Sequence, residues 1–112
     1  MNRLAILSIK PEFARHIMDH TKTIELRRSD MGIENGDVLL IYVSAPDQCI
    51  SLWFRVKKVE VRAVSEMWKK YHSSLGIGKV QYLAYFDGVK EAVGFHIREV
   101  HCLDPGMGDD LK

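Results

Sequence analysis

No apolar run in this sequence is long enough to cross a bilayer, and Met1-Asn2-Arg3 leads straight into a short apolar segment rather than into a secretory signal. Neither membrane insertion nor export is expected, and a cytoplasmic protein is. An excess of one charge is also missing: 16 Lys and Arg face 15 Asp and Glu, a formal net charge of +1. Binding to duplex nucleic acid by bulk charge is thereby excluded, so any nucleic-acid contact must rest on a local patch. Cysteine is scarce. Cys49 and Cys102 lie far apart with no metal or redox spacing and read most simply as core residues. Whether they could bridge depends on the fold, and a reducing compartment argues against it. There is no internal repeat. The one biased stretch is the end, Asp104 to Lys112, which has almost nothing to bury and is expected to be a mobile tail.

What is present is an ordinary globular composition, 46% hydrophobic and 28% charged over 112 residues, which suits one small domain. Leu4 to Ile9 reads as a buried strand. Pro11 suits the first position of a helix, where a missing N–H costs nothing, and Glu12 suits the positive end of its dipole. Phe13, Ala14, Ile17 and Met18 then recur on one face. A loop over residues 29–37 closes on Asn35-Gly36, a pair that tolerates positive φ. Val38 to Val43 is apolar almost without interruption, as a strand covered on both faces at the centre of a fold would be. It ends at Ser44-Ala45-Pro46-Asp47, which leaves Ser44 at a strand end.

Two longer strands carry a slip of phase. Ile50, Leu52, Phe54 and Val56 alternate with Ser51, Trp53, Arg55 and Lys57, after which Val59 and Val61 fall on the other phase. An extra residue near Lys57 or Lys58 predicts a β-bulge. Val93, Phe95 and Ile97 followed by Val100 repeat the pattern. Long bent strands predict a small closed or nearly closed barrel. Between them, Ser65 can cap a helix carrying Met67, Trp68 and Tyr71. A second helix spans Lys79 to Phe86, with Val80, Leu83 and Ala84 turned inward and Asp87-Gly88 as its stop. The class is α+β, mainly β, with about three helices at the side and ends of the barrel.

Polar chemistry concentrates between His20 and Arg28. Ile24 and Leu26 fall on one side of an extended segment and Thr23, Glu25 and Arg27 on the other, with Lys22 opening it. In the plainest reading these charges form an ion pair that fixes the strand, worth little if exposed. As a site, the cations suit phosphate, Glu25 suits an exocyclic amine, and Tyr42 or Trp68 offers a flat face to a base. Lys10, with Arg55, Lys57, Lys58 and Arg62, can extend a basic path, unless that cluster is simply a solvated strand face. Gly76-Ile77-Gly78 ahead of a helix either turns a corner or cradles an anion. His16 and His20 are four apart, but no carboxylate base of the zinc-protease kind lies between them, so neither a metal nor a cofactor is expected. His96 and His101 read as surface residues, whereas His72, near the glycine corner, is more suggestive.

The spacing of Lys22, Glu25 and Arg27 resembles the Lys-x-x-Glu-x-Arg core of the ASCH domain, a branch of the PUA-like family. Leu7-Ser8-Ile9-Lys10-Pro11, Gly36-Asp37, Tyr42 to Pro46, Trp68 and Tyr85-Phe86-Asp87-Gly88 follow the same family in order, from about Ala5 to Leu103. The family usually has Gly two places before the lysine, where this chain has His20. The resemblance implies a PUA-like ASCH β-barrel over residues 1–103, a tail over 104–112, and a nucleotide-sized cleft between barrel and helices. The binding residues it implies are Lys10, Lys22, Glu25, Arg27, Tyr42, Ser44 and Trp68.

The function implied first is a binding module for single-stranded RNA or a modified nucleoside, linked to transcription or RNA metabolism and needing no catalytic step. The alternative is a hydrolase. ASCH amidohydrolases of N4-acetylcytidine use the motif lysine, a threonine three residues later and a distant glutamate. Here the third position is Glu25, and the region expected to hold the glutamate reads Tyr71-His72-Ser73-Ser74. An enzyme of that kind would need a rearranged set of Lys22, Thr23 and Glu25, with the lysine as base once burial has lowered its pKa. Another ASCH branch resembles a metal-independent ribonuclease using the same lysine, for which Lys22, Tyr42 and Ser44 offer comparable groups. A module holding a peptide in its cleft is compatible with the near-neutral charge.

Overall fold

A computed structural model describes residues 2–103. In chain order they form β1 (Leu4–Ile9), α1 (Pro11–Met18), β2 (Ile24–Arg27), β3 (Val38–Val43), β4 (Cys49–Ala63), α2 (Val64–Tyr71), a 3-10 turn (His72–Ser74), α3 (Lys79–Tyr85) and β5 (Glu91–Cys102). The class is α+β, as expected. The barrel is a curled half-barrel of five strands in the order β1-β3-β4-β5-β2, with β1 parallel to β3 and the other pairs antiparallel. The anticipated tail, residues 104–112, lies outside the described residues.

Both slips of phase are bulges. The β4–β5 register shifts between Val56 and Lys58 and again between Trp53 and Arg55, opposite Glu99, whose φ is +55°. An inserted residue sharpens the local twist, which lets two long strands wrap a small core. That core joins alternate residues of β1, β3, β4 and β5 (Ile9, Leu39, Ile41, Leu52, Phe54, Phe95) to Ala14 and Ile17 of α1. A second cluster gathers Ile24 and Leu26 of β2 with Met67, Leu75, Tyr82 and Phe86. Strand β2 therefore belongs to the helical side of the molecule.

Several expectations are corrected. Strand β1 is an edge strand: Leu4 and Ile6 are each 64% exposed, because one face of the edge has no covering layer. Strand β3 is an inner strand beside the edge, β4 being the middle one, and it is fully covered on one face only, with Val38, Leu40 and Tyr42 partly exposed. Helix α2 begins at Val64 with Ala63 in the cap position, so Ser65 lies inside the first turn and caps nothing. In α3, Val80, Leu83 and Ala84 face solvent while Tyr82 and Phe86 are buried, their rings 4.9 Å apart. Both faces of this short helix are apolar in sequence, and the one with larger rings gains more by burial. Cys49 and Cys102 are exposed free thiols rather than core residues, since they lie toward the ends of β4 and β5 outside both clusters.

No helix among the described residues is long and apolar enough to cross a membrane.

Candidate functional site

The motif residues converge because β2 is pinned between two elements that come from elsewhere in the chain. His20 takes φ +66°, a left-handed turn that a glycine adopts most easily, and it carries the chain from α1 into Lys22. From there the lysine side chain runs past Gly76. A Cβ at Gly76 would stand 2.9 Å from the Lys22 Cβ, and its φ is +63°. The glycine corner thus serves as a slot for the lysine. It precedes a helix of only seven residues.

Lys22 is 3% exposed. Its Nζ donates to the Leu75 carbonyl at 2.7 Å, lies 3.6 Å from Glu25 Oε1, and stands 5.6 Å from the centre of the Phe13 ring. Burial pushes the amine below the usual lysine range, and the Glu25 carboxylate opposes that shift without cancelling it. Glu25, itself 6% exposed, is gripped from the other side by Arg27, whose Nε donates to Oε2 at 3.1 Å and whose Nη2 is 3.0 Å from the same oxygen. The carboxylate therefore bridges two cations. The Arg27 Nη2 also donates to the Ser8 carbonyl of β1 at 2.9 Å, which ties the two open edges of the half-barrel together.

These groups lie on a cleft of about 430 Å³. Lys10, Lys22, Glu25 and Arg27 all line it, together with Phe13 of α1 and Ile77, Gln81 and Tyr85 from the α3 side. Its walls are mostly apolar, with a few convergent polar groups, as small-molecule sites usually are. Burial raises the Tyr85 hydroxyl above the usual phenol range. A second, more open hollow of about 410 Å³ adjoins it, sharing Phe13, Ile77 and Gln81, and holds both His16 and the His72 singled out in sequence.

Other anticipated residues are placed elsewhere. Thr23 is exposed and does not line the cleft, whereas Lys22 and Glu25 are buried in its wall. Tyr42 sits on β3 opposite Ser8, and Ser44 Oγ donates to the Ile9 carbonyl at 3.4 Å; neither lines the cleft. Trp68 packs against Tyr82 at 5.0 Å and His72 at 5.6 Å, partly buried against the second apolar cluster. Most of the basic path along β4 is already paired: Arg55 with Glu99, and Lys58 and Arg62 with Glu60. Among the described residues, no three His, Cys, Asp or Glu side chains group as metal ligands.

Two features were missed in sequence. Phe13, Gln81 and Tyr85 reach the cleft from helices whose faces periodicity alone could not orient. His96 is no free surface residue, for its Nε2 is 2.8 Å from Glu60 Oε1, the oxygen that also accepts the Tyr71 hydroxyl at 2.7 Å. The signal was Glu60, a lone carboxylate among Lys57, Lys58 and Arg62.

The profile of the ASCH domain matches residues 7–103. The chain belongs to the ASCH domain family. Its relatives include a protein of Zymomonas mobilis named ASCH domain-containing ribonuclease, 28% identical over 96% of this chain and 73% of that one. The crystal structure of ASCH from Zymomonas mobilis has a TM-score of 0.80 at 23% identity and covers 96% of this chain and 77% of that one, which establishes the shared fold. A stretch of 87 residues is also 28% identical to the large ribosomal subunit protein uL22 of Ureaplasma parvum, where it spans 28% of that protein. In this ASCH domain the Lys22-Glu25-Arg27 cluster is folded into the wall of a cleft.

Proposed function

We propose that this ASCH domain binds single-stranded RNA in the Lys22-Glu25-Arg27 cleft and cleaves its backbone, with the Lys22 amine as the group that moves the proton. The observation that carries this reading is the burial of that amine in the cleft wall, where it holds its proton less tightly than an ordinary lysine. Proton transfer is most efficient when the donor or acceptor has a pKa near the working pH. A relative bearing the name ribonuclease favours cleavage over the binding-only expectation.

In this reading the ribose 2′-hydroxyl gives its proton to Lys22 while its oxygen attacks the adjacent phosphorus. The P–O5′ bond breaks, a 2′,3′-cyclic phosphate remains, and the released 5′-oxygen takes a proton from water. Arg27 and the exposed Lys10 offset the charge that gathers on the phosphoryl oxygens. Glu25 keeps Lys22 and Arg27 in register. Such chemistry needs a 2′-hydroxyl, so DNA is bound but left whole. RNA as substrate is consistent with a cytoplasmic protein.

The test offers the purified protein labelled single-stranded RNA, DNA of the same sequence, and N4-acetylcytidine. RNA should be cut to fragments ending in cyclic phosphate, DNA should survive, and Lys22→Ala should lose about 100-fold or more of the rate. RNA left whole by excess protein, or cut equally well by the alanine variant, removes this reading. Release of acetate from acetylcytidine would move the assignment to the amidohydrolase branch.

A further inference from the structure

We infer that the cleft is one half of a longer groove that takes two consecutive nucleotides of a strand, the second lying in the hollow beside His16 and His72. This rests on the reading of the cleft as an RNA site and goes on to specify the length of strand it recognises.

The two hollows share a border. Phe13, Ile77 and Gln81 belong to both, so a ligand leaving the first passes over two apolar side chains and an amide before entering the second. Each volume, about 430 and 410 Å³, is in the lower part of the roughly 300–1,000 Å³ range of small-molecule sites. One nucleotide therefore occupies one hollow and leaves the other free.

Their chemistries differ in the way a polynucleotide requires. The first holds Lys10, Lys22 and Arg27, a surplus of cations for phosphate. The second holds no Lys or Arg; its polar groups are the imidazoles of His16 and His72, the hydroxyls of Thr21 and Ser73, and the carboxylate of Glu12. A phosphate finds little there, whereas a neutral base finds flat faces and groups that both donate and accept. The exposed Gln81 amide at the junction can read a base edge from either side.

Gly78 provides a clean obstruction. It lines the second hollow, its φ of −75° suits any residue, and a Cβ there meets nothing within 4 Å. Gly78→Leu should fill the groove and leave the fold intact, while Gly78→Ser should leave the groove open. The probes are uridine monophosphate and a pentauridylate with 2′-O-methyl groups that block cleavage, titrated at one fixed salt concentration.

Wild-type protein should bind the pentamer about fivefold tighter than the monophosphate or better, since a further stacked base is worth at least that much. Gly78→Leu should erase the advantage and keep the monophosphate affinity, Gly78→Ser should retain it, and His72→Ala should reduce it severalfold. A pentamer advantage that survives both Gly78→Leu and His72→Ala overturns the proposal. So does a wild-type protein that binds the monophosphate with no gain from length, which leaves the single-nucleotide cleft standing. If wild-type protein binds neither probe, the RNA reading of the cleft falls and the longer groove falls with it.

Discussion

The Arg27 guanidinium bridges the open side of the half-barrel, donating to the Ser8 carbonyl at 2.9 Å on one strand while standing 3.0 Å from the Glu25 carboxylate on its own. One side chain thus closes the seam between β1 and β2 and neutralises the acid in the cleft. Site and fold are coupled at this point.

Replacing Arg27 should therefore cost stability as well as function. Arg27→Ala leaves Glu25 buried with Lys22 as its remaining cation, and breaking such a pair costs about 3 kcal/mol. Urea unfolding should show that loss. Arg27→Lys should recover less than half of it, because an ammonium cannot serve the carboxylate and the Ser8 carbonyl with a planar fork.

Lys22→Arg keeps a cation but removes the ability to give up a proton. RNA affinity should stay within about threefold, while cleavage should fall by about 100-fold. In wild-type protein the rate should rise with pH as Lys22 deprotonates, and level off below the ordinary lysine range because burial lowers that transition. A rate limb that appears only near the ordinary lysine value would sink the assignment of Lys22 as proton carrier.

Gly76→Ala should destabilise by about 2 kcal/mol or more. A left-handed backbone costs an alanine roughly 1–2 kcal/mol, and the new methyl would also press on Lys22 at 2.9 Å. Thermal melting measures the first effect. A drop in cleavage larger than the fraction unfolded would register the displaced lysine.

Stability should fall in acid, in two limbs. Burial alone would raise the Glu60 carboxyl, but hydrogen bonds from Tyr71, Arg62 and His96 outweigh it and hold it at about 2. Its contribution is present above about pH 4.5 and is lost as pH falls toward 2, since the unfolded chain takes up the proton first. His96 is shifted below its ordinary 6.5 by burial, against the pull of Glu60, so it too favours the unfolded state as pH drops below that value. Urea melts between pH 7 and 3 should show the decline, and Glu60→Gln should flatten the limb below pH 4.5.

Much of the scaffold could be read from residues alone because its causes are local. The bulges were visible since a two-residue period fails at Val59 and at Val100, and α1 was visible since Pro11 and the spacing of Phe13, Ala14, Ile17 and Met18 agree. The face of α3 was not. Val80 and Leu83 are as apolar as a core residue needs to be, and only the packing of Tyr82 against Phe86 and the second cluster leaves them in solvent.

The same division holds at the site. Lys22, Glu25 and Arg27 are near neighbours in sequence, so a turn and one short strand suffice to bring them together, and their proximity was determined by the chain itself. What surrounds them came from far away: the Leu75 carbonyl, the slot at Gly76, the Ser8 carbonyl, and the walls from Phe13, Gln81 and Tyr85. Tertiary structure alone decided that Tyr42, Ser44 and Trp68 stay off the cleft wall and that Lys22 is buried. Periodicity tells which side of an element a residue occupies, whereas the lowered lysine pKa depends on which distant segments exclude water from it.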